Sequence, residues 1–375
     1  MEKKTILFDV DGVLLSEERY FDASALTVWE LIHSSQYIGL DKHKFTTNVT
    51  DHLVSSIRSS IFQNDSILSF IKSRGINANW DMVYLTTSHF ILTVLENIKQ
   101  VDPPFVTSFL QGDIDRGALQ TLQQKALQTN QNISITSFIK DFEQGDAMKG
   151  DMLTYLNTIA WNKLGVKTSC FSRNSKLWNI CQETFQEWYV GDELIEQSIG
   201  RKTKQSGKPG FIQHEIPLAE VQSLKNLFQR FIDEGWIVGI GTGRPRLETI
   251  EPLRTIGLLE YIDPHHIVTA SEVLEAEASY PDRAPLAKPQ PYTYVLSWLG
   301  AEGTMDKAIE QALPMSDKHI VIVGDSLADG LAAQTMGVTF AAVLTGLSGQ
   351  KARSEFEKLP ADYIFDNVVD VEAIL

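Results

Sequence analysis

Two carboxylates one residue apart are the first chemically suggestive feature of the chain. In T-I-L-F-D-V-D-G-V-L-L, residues 5–15, Asp9 and Asp11 follow the apolar run Ile6-Leu7-Phe8 and precede Gly12. Strand alternation puts both aspartates on one side, close enough to share a cation, while Gly12 permits a sharp turn. Buried carboxylates are costly to keep ionised without a positive partner. Taken alone, the same residues also suit a strand end and turn, since Asp-x-Asp-Gly is common turn chemistry. Other polar groups bear on that choice. The loop Gly241-Thr242-Gly243-Arg244 can offer an anion the Thr242 hydroxyl and backbone N–H groups. Lys288, followed by Pro289 and Pro291, reads in isolation as a surface lysine; beside carboxylates it is a fixed point charge able to hold a phosphate oxygen. Asp325 and Asp329 lie in G-D-S-L-A-D-G, residues 324–330. Oxygen-only ligands drawn from Asp9, Asp11 and Asp325 suit a hard ion, and Mg2+ is the natural one where phosphate is also bound.

These groups need a scaffold that brings them to one place. The C-terminal half alternates helix-like and strand-like apolar patterns: helix 221–234, strand 236–240, helix 247–257, strand 267–269, a mixed loop to Lys288, helix 292–299, strand 319–323, a helix through Met336, and strands 339–343 and 363–365. Such alternation makes a doubly wound parallel α/β sheet with right-handed crossovers. The continuously apolar run at Ile6 fits the centre of that sheet. Each polar signal after Trp236–Ile240 and after His319–Val323 then emerges at the same sheet edge as Asp9 and Asp11, where open α/β sheets bind ligands. A dinucleotide fingerprint fails, because Arg244 and Arg246 stand where the last glycine belongs in the two registers, and no Walker lysine motif occurs.

Between the first strand and this half, residues 16–215 read as one inserted helical domain, leaving 1–15 plus 216–375 as the α/β domain. Apolar spacing of three and four marks helices over 25–32, 49–62, 67–71, 80–98 and 152–164, with breakers at Gly39, Asn64-Asp65, Gly75, Pro103-Pro104, Gly112, Gly145 and Gly150. Residues 119–136, rich in Gln and Asn, read as a polar helix and loop. The aromatics Trp161, Phe171, Trp178, Phe185, Trp188 and Tyr189 suit a core better than a substrate pocket. Residues 200–217 read as a linker whose Arg201, Lys202, Lys204 and Lys208 either form a solvated hinge or attract an anionic substrate.

A chain of 375 residues suits two domains, and its 43% hydrophobic and 22% charged content is ordinary for a soluble globular protein. The net charge of −15 argues against nucleic-acid or anionic-membrane partners, so an anionic substrate needs a local positive site. Cys170 and Cys181 are too few for a disulfide framework or a zinc site and read as small buried hydrophobes. No run has signal-peptide or membrane-span character, which makes the cytoplasm the default expectation. The oligomeric state has no signature.

D-V-D-G-V at 9–13, G-T-G-R at 241–244, A-K-P at 287–289 and G-D-S-L-A-D-G at 324–330 occur in an order that resembles the haloacid dehalogenase-like (HAD) hydrolase superfamily. The resemblance covers about residues 1–15 and 216–375. It implies a Rossmann-like HAD core with the helical insert in the position of the C1 cap, although that cap is usually shorter. It further implies that Asp9 attacks phosphorus to form an aspartyl-phosphate, and that Asp11 acts as general acid and then base. Mg2+ would be held by Asp9, the Asp11 backbone carbonyl and Asp325. Thr242, Gly243 and Lys288 would bind phosphate oxygens, with Asp329 and Ser326 in supporting roles. An aspartate at position 11 marks the phosphatases of the superfamily and argues against carbon–halogen hydrolysis. The expectation is a Mg2+-dependent phosphatase acting on a small phosphorylated metabolite. The alternatives are a sugar phosphomutase of the same superfamily, or a protein-interaction module on a relic core. The two connections between cap and core suggest hinge closure.

Overall fold

Six short apolar segments become strands: β1 (Lys4–Phe8), β2 (Trp236–Gly241), β3 (Ile267–Val268), β4 (Ile320–Gly324), β5 (Thr339–Val343) and β6 (Tyr363–Phe365). In the computed structural model, which describes residues 4–129, 137–315 and 319–375, they form one all-parallel sheet ordered β3-β2-β1-β4-β5-β6. The chain runs outward from β1 to β3 and then restarts at β4 on the other side of β1. The strand order therefore reverses between β1 and β4, the switch point of a doubly wound sheet.

Alternation along β1 sorts its side chains between two cores. Ile6 and Phe8 join Val238, Ile240, Val321 and Val323 on one face, while Leu7 joins Ile320, Ile322, Phe340 and Tyr294 on the other. Both faces are covered, which is why β1 and β4 read as unbroken apolar runs. The first face packs on the helix Val221–Asp233, whose buried Leu224, Leu227, Phe228 and Phe231 recur at three and four residues, with Phe228 and Phe8 ring centroids 5.0 Å apart. The second packs on Tyr292–Leu299 and Leu327–Met336.

The chain divides into two compact units, Met1–Glu18 with Ile212–Leu375, which carries the sheet, and Arg19–Phe211, whose described elements are all helices. In the second unit the expected helices extend over Glu18–His33, Asp51–Ile61, Ser66–Ser73, Asn79–Lys99 and Asp151–Leu164. Of residues 119–136, those to Thr129 lie in the helix Arg116–Thr129; 130–136 fall outside the described residues. Phe171, Trp178, Phe185, Trp188 and Tyr189 are buried as expected, whereas Trp161 is exposed. Cys181 is buried and Cys170 half-buried, both as free thiols. No described helix is long and apolar enough to cross a membrane.

One expectation for this unit needs correction, whereas the Pro103-Pro104 break does separate Asn79–Lys99 from the next helix. Pro103 and Pro104 start the helix Pro103–Gln111, where their missing N–H groups cost nothing and Asp102 caps Phe105 N at 3.1 Å. Of the four basic linker residues, Lys202 and Lys204 are exposed, but Lys208 and Arg201 are paired and not solvated. Lys208 is buried, and its Nζ lies 2.7 Å from Glu30 Oε2 and 2.6 Å from Glu187 Oε2. Arg201 pairs with Glu187 at 2.9 Å and with Glu183. The long helical run Lys176–Ile199 turns at Gly191, with φ 76°, because a side chain there would lie 2.7 Å from the Pro209 carbonyl. Asp192 N and Phe211 N close the contact by donating to Lys208 O and Tyr189 O at 3.1 and 2.7 Å.

Candidate active site

Register brings the chemistry together. Phe8 pairs with Ile240 on one side and Val323 on the other, so the residues that follow, Asp9, Gly241-Thr242 and Gly324-Asp325, leave the sheet side by side. Lys288 approaches from the segment before the helix Tyr292–Leu299, its loop held by Glu277 Oε1, which accepts from Leu286 N at 2.7 Å. The Lys288 Nζ lies 2.9 Å from Asp9 Oδ2 and donates to Asp329 Oδ1 at 2.8 Å and to Tyr294 Oη at 3.0 Å. Tyr294 Oη in turn donates to Asp329 Oδ1 at 2.7 Å. Asp329 is fully buried, and Ser326 Oγ donates to its Oδ2 at 2.6 Å in a reciprocal cap of the helix Leu327–Met336.

Charge is concentrated here. Burial pushes the Asp9 carboxyl up to about 6, with the Asp329 and Asp11 charges adding to the rise and Lys288 opposing it. Asp325 is driven well above the ordinary carboxylate range by burial and then by the negative charges of Asp329, Asp9, Glu17 and Asp11. For Lys288, burial opposes the charge, but Asp329 and Asp9 outweigh it and hold the ammonium above its usual value. Asp329 is lowered: burial works against its ionised form, and Lys288, Ser326 and Tyr294 more than offset that.

Carboxylate oxygens of Asp9, Asp325 and Asp329 lie within 4.8 Å of one another. The backbone around Asp325 is cut to fit: a Cβ at Gly12 would stand 2.2 Å from Asp325 Oδ2, and one at Gly346 would stand 1.9 Å from it. An all-oxygen set whose excess negative charge raises the Asp325 pKa is the donor chemistry of a hard divalent cation such as Mg2+.

The remaining candidates take separate positions. The Asp11 carboxylate stands apart from that set and binds Arg244, whose Nε and Nη2 donate to Oδ1 at 2.9 and 2.6 Å. Thr242 is buried; its N–H donates to Val268 O at 3.0 Å and its Oγ1 accepts from Arg244 N at 3.3 Å. That leaves Gly243, exposed and with open space at its Cβ position, as the residue of this loop whose N–H faces no acceptor among the described residues. Sequence reasoning missed Arg244, Tyr294, Glu215 and the Thr345-Gly346 turn. Arg244 carried a signal, two residues beyond Thr242 on the same strand-end loop. Thr345, which donates to Gly12 O at 2.6 Å, follows the strand Thr339–Val343 at the same edge and could have been found by that rule.

The fold and the site together define a doubly wound α/β protein with an aspartate–lysine centre at the switch point of its sheet. Residues 300–371 match the HAD-hydrolase-like family model. Over those residues the chain is similar to HAD-like hydrolases, and its sheet carries a large helical insertion after the first strand. Among solved structures it is similar to Northeast Structural Genomics Consortium target ZR25, with 37% identity over 99% of this chain and 98% of that one and a TM-score of 0.88. A HAD family hydrolase from Deinococcus radiodurans R1 with bound phosphate and sodium gives 15% identity over 99% and 94%, with a TM-score of 0.39. A phosphonoacetaldehyde hydrolase-like protein from Oleispira antarctica gives 11% over 100% and 91%, with a TM-score of 0.42. The search of curated proteins returned no match.

Proposed function

We propose that this protein is a Mg2+-dependent phosphatase that hydrolyses a small phosphorylated metabolite through an aspartyl-phosphate on Asp9. The observation that carries the reading is the pair of distances from Lys288 Nζ, 2.9 Å to Asp9 and 2.8 Å to Asp329, beside Asp325 at the carboxyl edge of the sheet. A buried carboxylate oriented by a buried ammonium is an aligned nucleophile, and the same ammonium neutralises a phosphoryl oxygen as it arrives.

Both Asp9 oxygens have donors, Lys288 on Oδ2 and Val10 N on Oδ1 at 2.7 Å, so the carboxylate is fixed before substrate binds. An Asp9 oxygen forms the bond to phosphorus as the ester P–O bond breaks, and the departing oxygen takes a proton from Asp11. Asp11 then takes a proton from water, whose oxygen bonds to phosphorus as the P–O bond to Asp9 breaks, and the free carboxylate returns. Gly243 N–H and Lys288 hold phosphoryl oxygens throughout. Asp9 and Asp325, with Asp329 behind them, would hold Mg2+, which when bound neutralises charge on the phosphoryl group.

The reading is tested by screening phosphate release from a library of phosphorylated metabolites with Mg2+, with chelator, and with Mg2+ restored. Release that disappears with chelator and returns with Mg2+ supports it. Metal-independent turnover, or an isomeric sugar phosphate formed in place of free phosphate, contradicts it.

A further inference from the structure

Resting on that reading, we infer that Arg244 and Glu215 are positioning residues for Asp11, which hold its Oδ1 and leave Oδ2 to face a ligand. Both donors that Arg244 directs at Asp11, Nε and Nη2, converge on Oδ1, at 2.9 and 2.6 Å. Asp11 Oδ2 has no protein partner among the described residues, and the side chain is 30% exposed, so this oxygen can reach a ligand. The general acid is thus pinned by one oxygen and active through the other.

Glu215 holds the arginine in turn. The Arg244 side chain is only 1% exposed, and a buried guanidinium stripped of its counter-ion is strongly destabilising. Glu215, itself 1% exposed, accepts from Arg244 Nη1 at 3.0 Å and supplies a second negative charge that does not depend on Asp11. Arg244 Nη1 also donates to Glu248 O at 3.3 Å. The arginine is therefore anchored through Nη1 as well as through its contacts to Asp11.

Backbone pairing fixes the two anchors relative to each other. Ser16 N donates to Ile216 O at 2.8 Å, Leu218 N donates to Leu14 O at 3.0 Å, and Leu15 bridges Pro217. The chain leaving the Asp11 loop and the chain carrying Glu215 back are thus one short ladder. A carboxylate far from Asp11 in sequence is delivered to the arginine that grips it.

The chemical consequence is selective. When Asp9 displaces an alkoxide, the electron pair of the breaking P–O bond goes to the leaving oxygen, which needs the Asp11 proton; p-nitrophenolate leaves without one. Misplacing Asp11 should therefore lower kcat/KM for an alkyl phosphate far more than for an aryl phosphate, because kcat/KM reports steps up to leaving-group departure. The experiment compares kcat/KM for glycerol phosphate and p-nitrophenyl phosphate in the wild type, Glu215→Gln and Arg244→Lys, with thermal unfolding of each. The expected result is an alkyl-ester loss about tenfold or more greater than the aryl-ester loss in both variants, partly restored by Glu215→Asp. Equal losses on the two esters overturn the inference, as would unchanged kinetics in Glu215→Gln. Because Glu215→Gln preserves shape, and Arg244→Lys preserves charge, either variant that folds decides the matter. A wild type inactive on both esters would instead sink the phosphatase reading and this inference with it.

Discussion

Single atoms decide what the Asp9 carboxylate can do. The glycines at 12 and 346 exist at their positions because Asp325 Oδ2 occupies the space of a side chain, 2.2 and 1.9 Å from their Cβ sites. Gly346→Ala must displace the Asp325 carboxylate or the turn that Thr345 anchors. We expect a fall in kcat of about 10²-fold, the scale of a 1 Å misplacement, together with a rise in the Mg2+ concentration needed for half-maximal activity. Titration of activity with Mg2+ in the variant checks this; unchanged metal dependence would contradict it. At this scale the sequence was informative wherever a polar residue directly followed an apolar strand, as with Asp9, Thr242 and Asp325. It was silent on Glu215, whose partner is Arg244 and whose position depends on backbone pairing between residues 14–16 and 216–218. Nothing local in the sequence marks such a pairing.

Elements were legible in proportion to their amphipathic periodicity. Val221–Asp233 has a single buried stripe and was found almost to the residue. Ala270–Ser279 buries only Val273 and Ala276, so it offered no periodic signal and was read as loop, although Thr269 and Glu272 form a capping box. The return segment hides its pairing for a different reason: basic residues between glycines look solvated, and one of the two carboxylates that pair with Lys208, Glu30, comes from a helix far away in sequence. Lys208→Met leaves Glu30 and Glu187 without their shared cation, and should destabilise the helical unit by about 3–5 kcal/mol in urea unfolding. A second ion cluster in that unit sets a pH dependence. Asp141 Oδ2 accepts from His89 Nε2 and Lys163 Nζ, each at 2.8 Å, and from Ser137 Oγ at 2.9 Å. Burial alone would raise this carboxyl, but these three donors hold it below the ordinary range. With a folded pKa below the unfolded one, its contribution is complete above the unfolded value of about 4 and is lost as pH falls from there toward the folded pKa. Asp141→Asn should cost about 2–3 kcal/mol at neutral pH and flatten the loss of stability below about pH 4, measured by urea unfolding across pH.

On the scale of the whole molecule, two compact units with separate cores predict more than one unfolding step. Differential scanning calorimetry of the full chain should resolve two transitions, with Lys208→Met lowering one and leaving the other in place; a single transition that shifts as a whole would show that the cores unfold together. The 37% identity to target ZR25 over 99% of the chain includes the helical insertion as well as the sheet. The doubly wound core was legible from alternating periodicity and from four motifs in order, because a parallel sheet sends every strand end to one edge. The packing of the insertion was not, since several of its contacts join residues more than a hundred positions apart, as in the hydrogen bond that Trp188 Nε1 donates to Glu30 Oε2 at 2.7 Å. All of this scaffold serves one proposed event, transfer of a phosphoryl group to Asp9. Its most direct test is phosphate release by the wild type and by Asp9→Asn, each saturated with Mg2+, with acid-quenched wild type analysed by mass spectrometry for phosphate on the peptide containing Asp9. The account predicts a loss of roughly 10³-fold or more in the variant and phosphate trapped on Asp9 in the wild type. Undiminished turnover in Asp9→Asn would contradict it.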